Sequence, residues 1–278
     1  MKNGNHVIIE NKKSGRISFS EFIRYKDLLY FMVLRDVTVM YKQSVLGFAW
    51  AFINPVFSMV VFSVVFGTLA KVPSENIPYP IFSYAALIPW TYFSSSLTAS
   101  SNSLIGNASI FTKVYFPRIM IPLTPVLSKL VDFAISFLLL IGLMVYYHYY
   151  PTPKLFLLPL LIMILVFAST GMGTFLSSLA LQYRDVRFAI GFLMPLLMYA
   201  APVVFPASLI EEKFGHTAYL FYGLYPLTGI IEGFRAAVIA SKAIPWELIG
   251  MSSIGSIVVL IIGLQTFRKL EDKFADVA

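Results

Sequence analysis

Residues 46–70 pass without one Asp, Glu, Lys or Arg, and five more such runs follow at 76–112, 133–153, 155–182, 188–210 and 248–267. No other feature constrains the fold as much. Hydrocarbon offers no water to a backbone N–H or C=O, so a segment lying in it must pair those groups internally, as a helix does. About 20 residues at 1.5 Å each cross a bilayer core about 30 Å thick. All six runs reach that length. The expected fold is an all-α integral membrane protein with six transmembrane helices. Only 13% of residues are charged and 58% are hydrophobic, against roughly 25% charged in an ordinary soluble domain, which excludes that class.

The charges are unevenly placed. Lys2, Lys12, Lys13, Arg16, Arg24, Lys26, Arg35 and Lys42 precede the first run, and Lys113, Arg118, Arg184, Arg187, Arg268, Lys269 and Lys273 share their side of the membrane, fifteen in all. The other side carries five: Lys71, Lys154, Lys213, Arg235 and Lys242. An excess of Lys and Arg marks the cytoplasmic face, so both termini are expected there, in the cytoplasmic membrane. Basic residues from the start leave no place for the apolar core of a cleavable signal peptide, so the N-terminus is expected to be retained. The net charge of +7 reads as this asymmetry plus contact with anionic membrane lipids, with no nucleic-acid partner.

Three parts follow from this layout: a cytoplasmic segment 1–45, a membrane domain 46–267 and a cytoplasmic tail 268–278. In the first, Ser18 and Glu21 have capping-box spacing, and Phe22, Tyr25, Leu29, Met32 and Val33 share one helical face over 17–35. That pattern predicts an amphipathic helix lying along the membrane surface. The chain must then turn sharply into lipid, with Gly47 easing the turn, Trp50 at headgroup level and Asn54-Pro55 releasing backbone groups inside the span.

Chemistry-bearing motifs are few. There is no P-loop, GxSxG, HExxH or CxxC, and no Cys at all, so nucleotide hydrolysis or thiol chemistry by this chain is not expected. His6, His148 and His216 are too dispersed for a local metal motif. GMG at 171–173 lacks the strand and acidic partner of a dinucleotide site and reads as close helix contact through small residues. Asn107-Ala108-Ser109 is a sequon by spelling but falls on the cytoplasmic side. Lys129 and Asp132, one turn apart near the start of the third run, are the clear intramembrane charges and read as an ion pair or a snorkelling lysine. With so little buried charge, a proton-coupled transporter is disfavoured, and energy must come from a partner. Trp50, Phe52, Trp90, Tyr92, Phe93 and Tyr199 are candidates to line a pathway, because an aromatic face covers the apolar side of a sugar ring while its hydroxyls stay wet.

Four stretches, RDVTVMYKQSVLGFAWAFINP (35–55), FTKVYFPRIMIPL (111–123), YRDVRF (183–188) and YPLTGIIEGFRAAV (225–238), with the tail FRKLEDKFADV (267–277), together resemble the membrane subunits of type-2 ABC exporters of polysaccharides. These are the O-antigen, capsule and teichoic-acid permeases. The resemblance implies a homodimer of this chain with two separate ABC ATPase subunits, ATP and Mg²⁺ bound on those partners with no cofactor on this chain, and a lipid-linked polysaccharide as cargo. It also implies that Arg35, Asp36, Tyr41 and Lys42, then Lys113, Tyr115, Pro117 and Arg118, then Tyr183, Arg184 and Asp185 contact or support the ATPase. For Arg35 and Arg184, simple anchoring to lipid phosphates is the plainer alternative.

The stretch 208–242 is too long for a tight loop and too apolar for a solvated one. It resembles the family's re-entrant pair of short helices on the outer side, between spans five and six. Tyr225, Pro226, Glu232 and Arg235 are then gate candidates, with Glu232 and Arg235 either a latch or a plain surface ion pair. The small residues of GFRAA (233–237) depart from the bulkier ones expected there. Two rival functions are an exporter of drugs or other small hydrophobic compounds within the same family, and an integral membrane enzyme acting on lipid-linked sugars. The second would need convergent acids, whereas Asp132 and Glu232 are expected near opposite faces.

Overall fold

A computed structural model of the chain describes residues 23–42, 49–75, 77–107, 116–150, 152–239, 242–271 and 274. Among them all regular structure is helical. Helix α1 is Lys26–Lys42, α2 is Trp50–Phe62 and continues as a π-helical turn over Ser63–Leu69, α3 is Tyr79–Gly106 and α4 is Met120–Tyr146. A 3₁₀ turn at Pro153–Leu157 leads into α5, Leu158–Gln182, and α6 is Asp185–Ala200. Three short helices follow, α7 (Ser208–Phe214), α8 (His216–Gly223) and α9 (Pro226–Val238), before α10 (Trp246–Glu271).

Among the described residues, four helical stretches are long and apolar enough to cross a membrane: Trp50–Leu69, Met120–Tyr146, Pro153–Gln182 and Trp246–Glu271. The chain is a multi-pass membrane protein. Helix α3 is as long as these but carries seven serines, and it runs through the middle of the molecule with Phe82, Ala85, Leu97 and Leu104 fully buried. Ser83, Ser96, Ser100, Ser101 and Ser103 turn inward; Ser100 donates to the Pro122 carbonyl at 2.8 Å, a cross-helix bond of the kind that holds membrane bundles together.

Buried side chains form a large cluster through the bundle and a small one near one end, and the two ends are built differently. At one, Leu29 and Met32 of α1 meet Leu104 from the end of α3, Phe116 to Ile121 at the start of α4, and Phe267 and Phe274 at the end of α10. At the other, residues 71–75, 77 and 78, the turn before α5, residues 201–207 and α7 to α9 come together. Small residues set the closest approach between helices: a Cβ on Gly171 would lie 2.5 Å from the Leu260 backbone, and one on Gly263 would lie 2.0 Å from the Gly171 carbonyl. GMG at 171–173 thus serves two contacts: Gly171 meets α10, while a Cβ on Gly173 would lie 2.7 Å from Ser100 of α3.

Several sequence expectations shift. The first helix runs on to Lys42, so Arg35, Asp36, Tyr41 and Lys42 ride on it instead of following it. Its predicted cap at Ser18 and Glu21, and the turn at Gly47, lie outside the described residues. The third apolar run proves to be only part of α4, which begins at Met120. Lys129 and Asp132 are therefore interior to a long helix, not at its start; Pro122 lies in its first turn, where a missing N–H costs least, and Pro125 lies inside the helix. The stretch 208–242 holds three short helices, not a pair, with Gly215 at φ +84° bending the chain between the first two.

Candidate functional site

The end of the molecule marked by α1 gathers most of the residues expected to meet an ATPase. Arg35 lies on an exposed face of α1, bonds Asp36 at 2.8 Å and reaches Asn107 at the end of α3 at 3.2 Å. Arg118 donates to the Glu271 carbonyl at 2.7 Å and so ties the start of α4 to the end of α10. Pro117 is half-buried beside it, and Tyr183, Arg184 and Asp185 form an exposed elbow between α5 and α6. Lys42 is exposed at the end of α1. Lys113 and Tyr115 lie outside the described residues. Exposed charge on a surface held by buried apolar contacts is what a rigid docking face requires; Leu29 and Met32 fasten α1 to the membrane helices behind it.

Tyr41 turns inward from α1 and donates a hydrogen bond to Asp132 Oδ1. Lys129 Nζ holds the other carboxylate oxygen at 2.8 Å and also touches Met40 Sδ at 3.3 Å. These groups wall a cavity of about 340 Å³ between α1, α2, α3 and α4. From α2 it takes Trp50, Asn54 and Ser58, from α3 Thr91, Tyr92 and Ser95, and from α4 Phe133 and Ser136. Pro55 is also in the wall, and having no N–H it gives no helix bond to the Ala51 carbonyl beside it.

The aromatic candidates part company here. Trp50 and Tyr92 line this cavity; Tyr92 donates to the Val126 carbonyl at 2.8 Å and packs edge-on against Phe133. Trp90 and Phe93 do not line it: both are buried in the core, close to each other, so their expected pathway role gives way to helix packing. Phe52 is half-buried on α2, and Tyr199 is exposed on α6.

At the far end a buried ionic network replaces the surface ion pair that was one reading of Glu232 and Arg235. Their side chains are 3% and 0% exposed and bond at 2.8 Å. Lys242 also bonds Glu232 at 2.8 Å and pairs with Glu75. Arg235 stacks on the Phe82 ring at 3.6 Å and donates to the carbonyls of Val203 (2.8 Å), Phe82 (3.3 Å) and Phe205 (3.4 Å). Glu232 accepts the Ala207 N–H at 2.9 Å. The strap 201–207 has no regular structure, yet Ala201, Val203 and Ala207 are buried. Irregular backbone at such depth is stable only when protein groups satisfy it, and Arg235 and Glu232 do so from one turn of α9. Tyr225 and Pro226 form the start of that helix, Pro226 at its first position where no N–H is needed. The small residues of GFRAA let α9 approach its neighbours: a Cβ on Gly233 would lie 2.9 Å from Leu161. Charge is thus less scarce in the interior than the sequence suggested. The signal was present in the i, i+3 spacing of Glu232 and Arg235, but nothing local revealed the distant Lys242 and Glu75.

The family model of ABC-2 type transporters matches residues 27–239. The chain belongs to that family. Among curated relatives it is 27% identical over 257 residues to the "O-antigen export system permease protein RfbA" of Myxococcus xanthus, covering 92% of this chain and 97% of that one. It is 30% identical over 252 residues to a protein of the same name from Klebsiella pneumoniae, covering 90% and 95%. The "Polysialic acid transport protein KpsM" of Escherichia coli is 23% identical over 242 residues, covering 87% and 92%. The match begins in α1 and closes one residue after α9, so α1, the cavity walls and most of the buried network fall inside it.

Proposed function

We infer that this chain is the permease subunit of an ATP-driven exporter that moves a lipid-linked polysaccharide, an O-antigen or related surface glycan, outward across the cytoplasmic membrane. The observation that carries this reading is the near full-length similarity to relatives named for O-antigen export and polysialic acid transport. ATP and Mg²⁺ bind a separate ABC ATPase, which meets the face carrying Arg35, Asp36, Arg118 and Tyr183 to Asp185. Both termini are cytoplasmic in this reading, α3 and α6 complete six spans, and α7 to α9 form the re-entrant cap on the outer side. Two copies pair around the pathway. In support, α2 has no buried residue, and α6 exposes Phe188, Phe192, Leu196 and Tyr199, so both present apolar faces to lipid or to a second copy.

Mechanically, a push on α1 reaches the membrane without slack, because Leu29 and Met32 are wedged against α4 and Tyr41 is bonded to Asp132. Discrete repacking of such rigid elements is how docking motions travel. The test is affinity purification from native membranes in mild detergent. A P-loop ATPase is expected at equal subunit numbers, its recovery lost on charge reversal at Arg35 or Arg118, and surface glycan is expected to disappear when the gene is deleted. Isolation of the chain alone, with glycan export intact in the deletion, overturns the reading.

A further inference from the structure

The cavity between α1, α2, α3 and α4 has a lining that its position in the bundle does not require. A gap serving only as slack between helices would be apolar, whereas this one presents Asn54, Ser58, Ser95, Lys129 and Asp132 around the exposed ring of Trp50. Asn54 and Ser58 make no side-chain hydrogen bond within the described residues, so their polar atoms are unspent. Residues 50, 54 and 58 follow at helical spacing and bring one stripe of α2 to the cavity.

Charge decides the chemistry of the occupant. Lys129 and Asp132 bond each other at 2.8 Å, and Tyr41 covers the second carboxylate oxygen. Among the described residues of the lining the two charges cancel, and a phosphate would find no net positive field and one carboxylate against it. A neutral polyhydroxyl ring meets no such penalty. Its hydroxyls can use the amide and hydroxyl groups and the outer edges of the ion pair, while its C–H face lies on an aromatic ring. A volume of about 340 Å³ is at the small end of ligand cavities, roughly 300–1,000 Å³, which suits one or two sugar rings and not a long segment of glycan.

We propose that this cavity binds neutral pyranose units, with Trp50 as the stacking platform and Asn54, Ser58 and Asp132 as hydroxyl partners. It rests on the exporter reading for the source of the sugar, but the site itself is tested by binding alone. Because Met40 and Tyr41 form one wall, an occupant also touches the helix that carries Arg35 and Asp36.

The experiment uses the full chain with its co-purified partner in lipid nanodiscs. The probe is the glycan freed by mild acid from the surface polysaccharide of the source strain, and binding is read by saturation-transfer NMR. Saturable binding is expected, with the dissociation constant raised at least tenfold by Trp50→Ala and by Asp132→Asn, and kept within threefold by Trp50→Phe. Each variant must elute as the wild type does on size exclusion; the two damaging changes lie on different helices, so misfolding of one leaves the other informative. Inorganic pyrophosphate should not displace the glycan. Absence of saturable binding, unchanged affinity in the folded variants, or displacement by pyrophosphate overturns the proposal. Export is followed in cells in parallel. Export without glycan binding overturns this site and leaves the exporter reading standing, whereas binding lost in both variants with export independent of the gene does the reverse.

Discussion

Replacing Arg235 by Met should release the strap 201–207 without unfolding the bundle. The substitution keeps length and apolar contact with Phe82 but removes three donated hydrogen bonds and one of the two cations that hold Glu232. Removing one partner of a buried ion pair costs about 3–5 kcal/mol, because the other charge stays behind uncompensated. Lys242 still bonds Glu232 at 2.8 Å, which puts the expectation at the lower end of that range, and the orphaned carbonyl of Val203 adds to it. At about 1.4 kcal/mol per tenfold, local opening of the strap should become about a hundredfold more frequent. The chain has no cysteine, so a single Val203→Cys reports that opening by its rate of maleimide labelling. The rate should rise about a hundredfold in Arg235→Met and less in a Glu232→Gln, Arg235→Met double variant, where the stranded charge is gone and only the carbonyls lack donors. A rate within threefold of the Arg235 parent, with the thiol at position 203 labelled slowly in both, would refute the view that this arginine holds the strap.

Three further outcomes follow. Gly263→Leu should prevent α5 and α10 from closing, since even a Cβ there would lie 2.0 Å from the Gly171 carbonyl, and the protein should appear in the membrane but aggregate on size exclusion; Gly191→Ala, with nothing within 4 Å, should not. Tyr41→Phe should keep the fold but uncouple ATP hydrolysis from export, because Asp132 loses its hydrogen bond from α1, seen as ATPase activity retained with surface glycan reduced severalfold. The His216 ring bonds Glu211 at 2.8 Å and faces Glu247 at 3.5 Å, and the Glu211 bond is the chief reason its pKa is raised above 6.5. A group with a raised folded pKa contributes fully below its unfolded value and loses that contribution as pH rises through the folded one. The tie between α7 and α10 should therefore be strongest in mild acid; NMR of the three histidines should show Glu211→Gln lowering the His216 midpoint.

What could be read in advance was whatever depends on local pattern. Runs without charge identified a helical membrane protein, and the close contact at GMG (171–173) followed from small residues alone. The cavity and the ionic network escaped because each is assembled from elements far apart in the chain: Tyr41, Trp50, Tyr92 and Asp132 for one, Glu75, Glu232, Arg235 and Lys242 for the other. Aromatic residues illustrate the same limit. Trp90 and Tyr92 are two apart in sequence, and both had the composition expected of a pathway, yet only Tyr92 faces the cavity while Trp90 turns into the core. The face a helical residue presents depends on what its neighbours cover, which no single helix records.

The misplacement of Lys129 and Asp132 has a more instructive cause. A span begun at the last charge places the pair at a boundary, where a lysine can reach headgroups. Helix α4 instead has 27 residues, about 40 Å, some 10 Å more than a bilayer core. Lys129 sits nine positions beyond Met120, about 13 Å along the axis. Even if all the excess length projects on one side, the pair lies at the edge of the hydrocarbon and not outside it. An ion pair there is stable because its partners are supplied by the protein: Tyr41 and Met40 from α1 complete the coordination that water would otherwise give. The same contact makes α1 a structural condition for the charge. Any displacement of α1 by a docked partner must either carry Tyr41 along or expose Asp132, so docking and the state of the cavity are physically linked at one hydrogen bond.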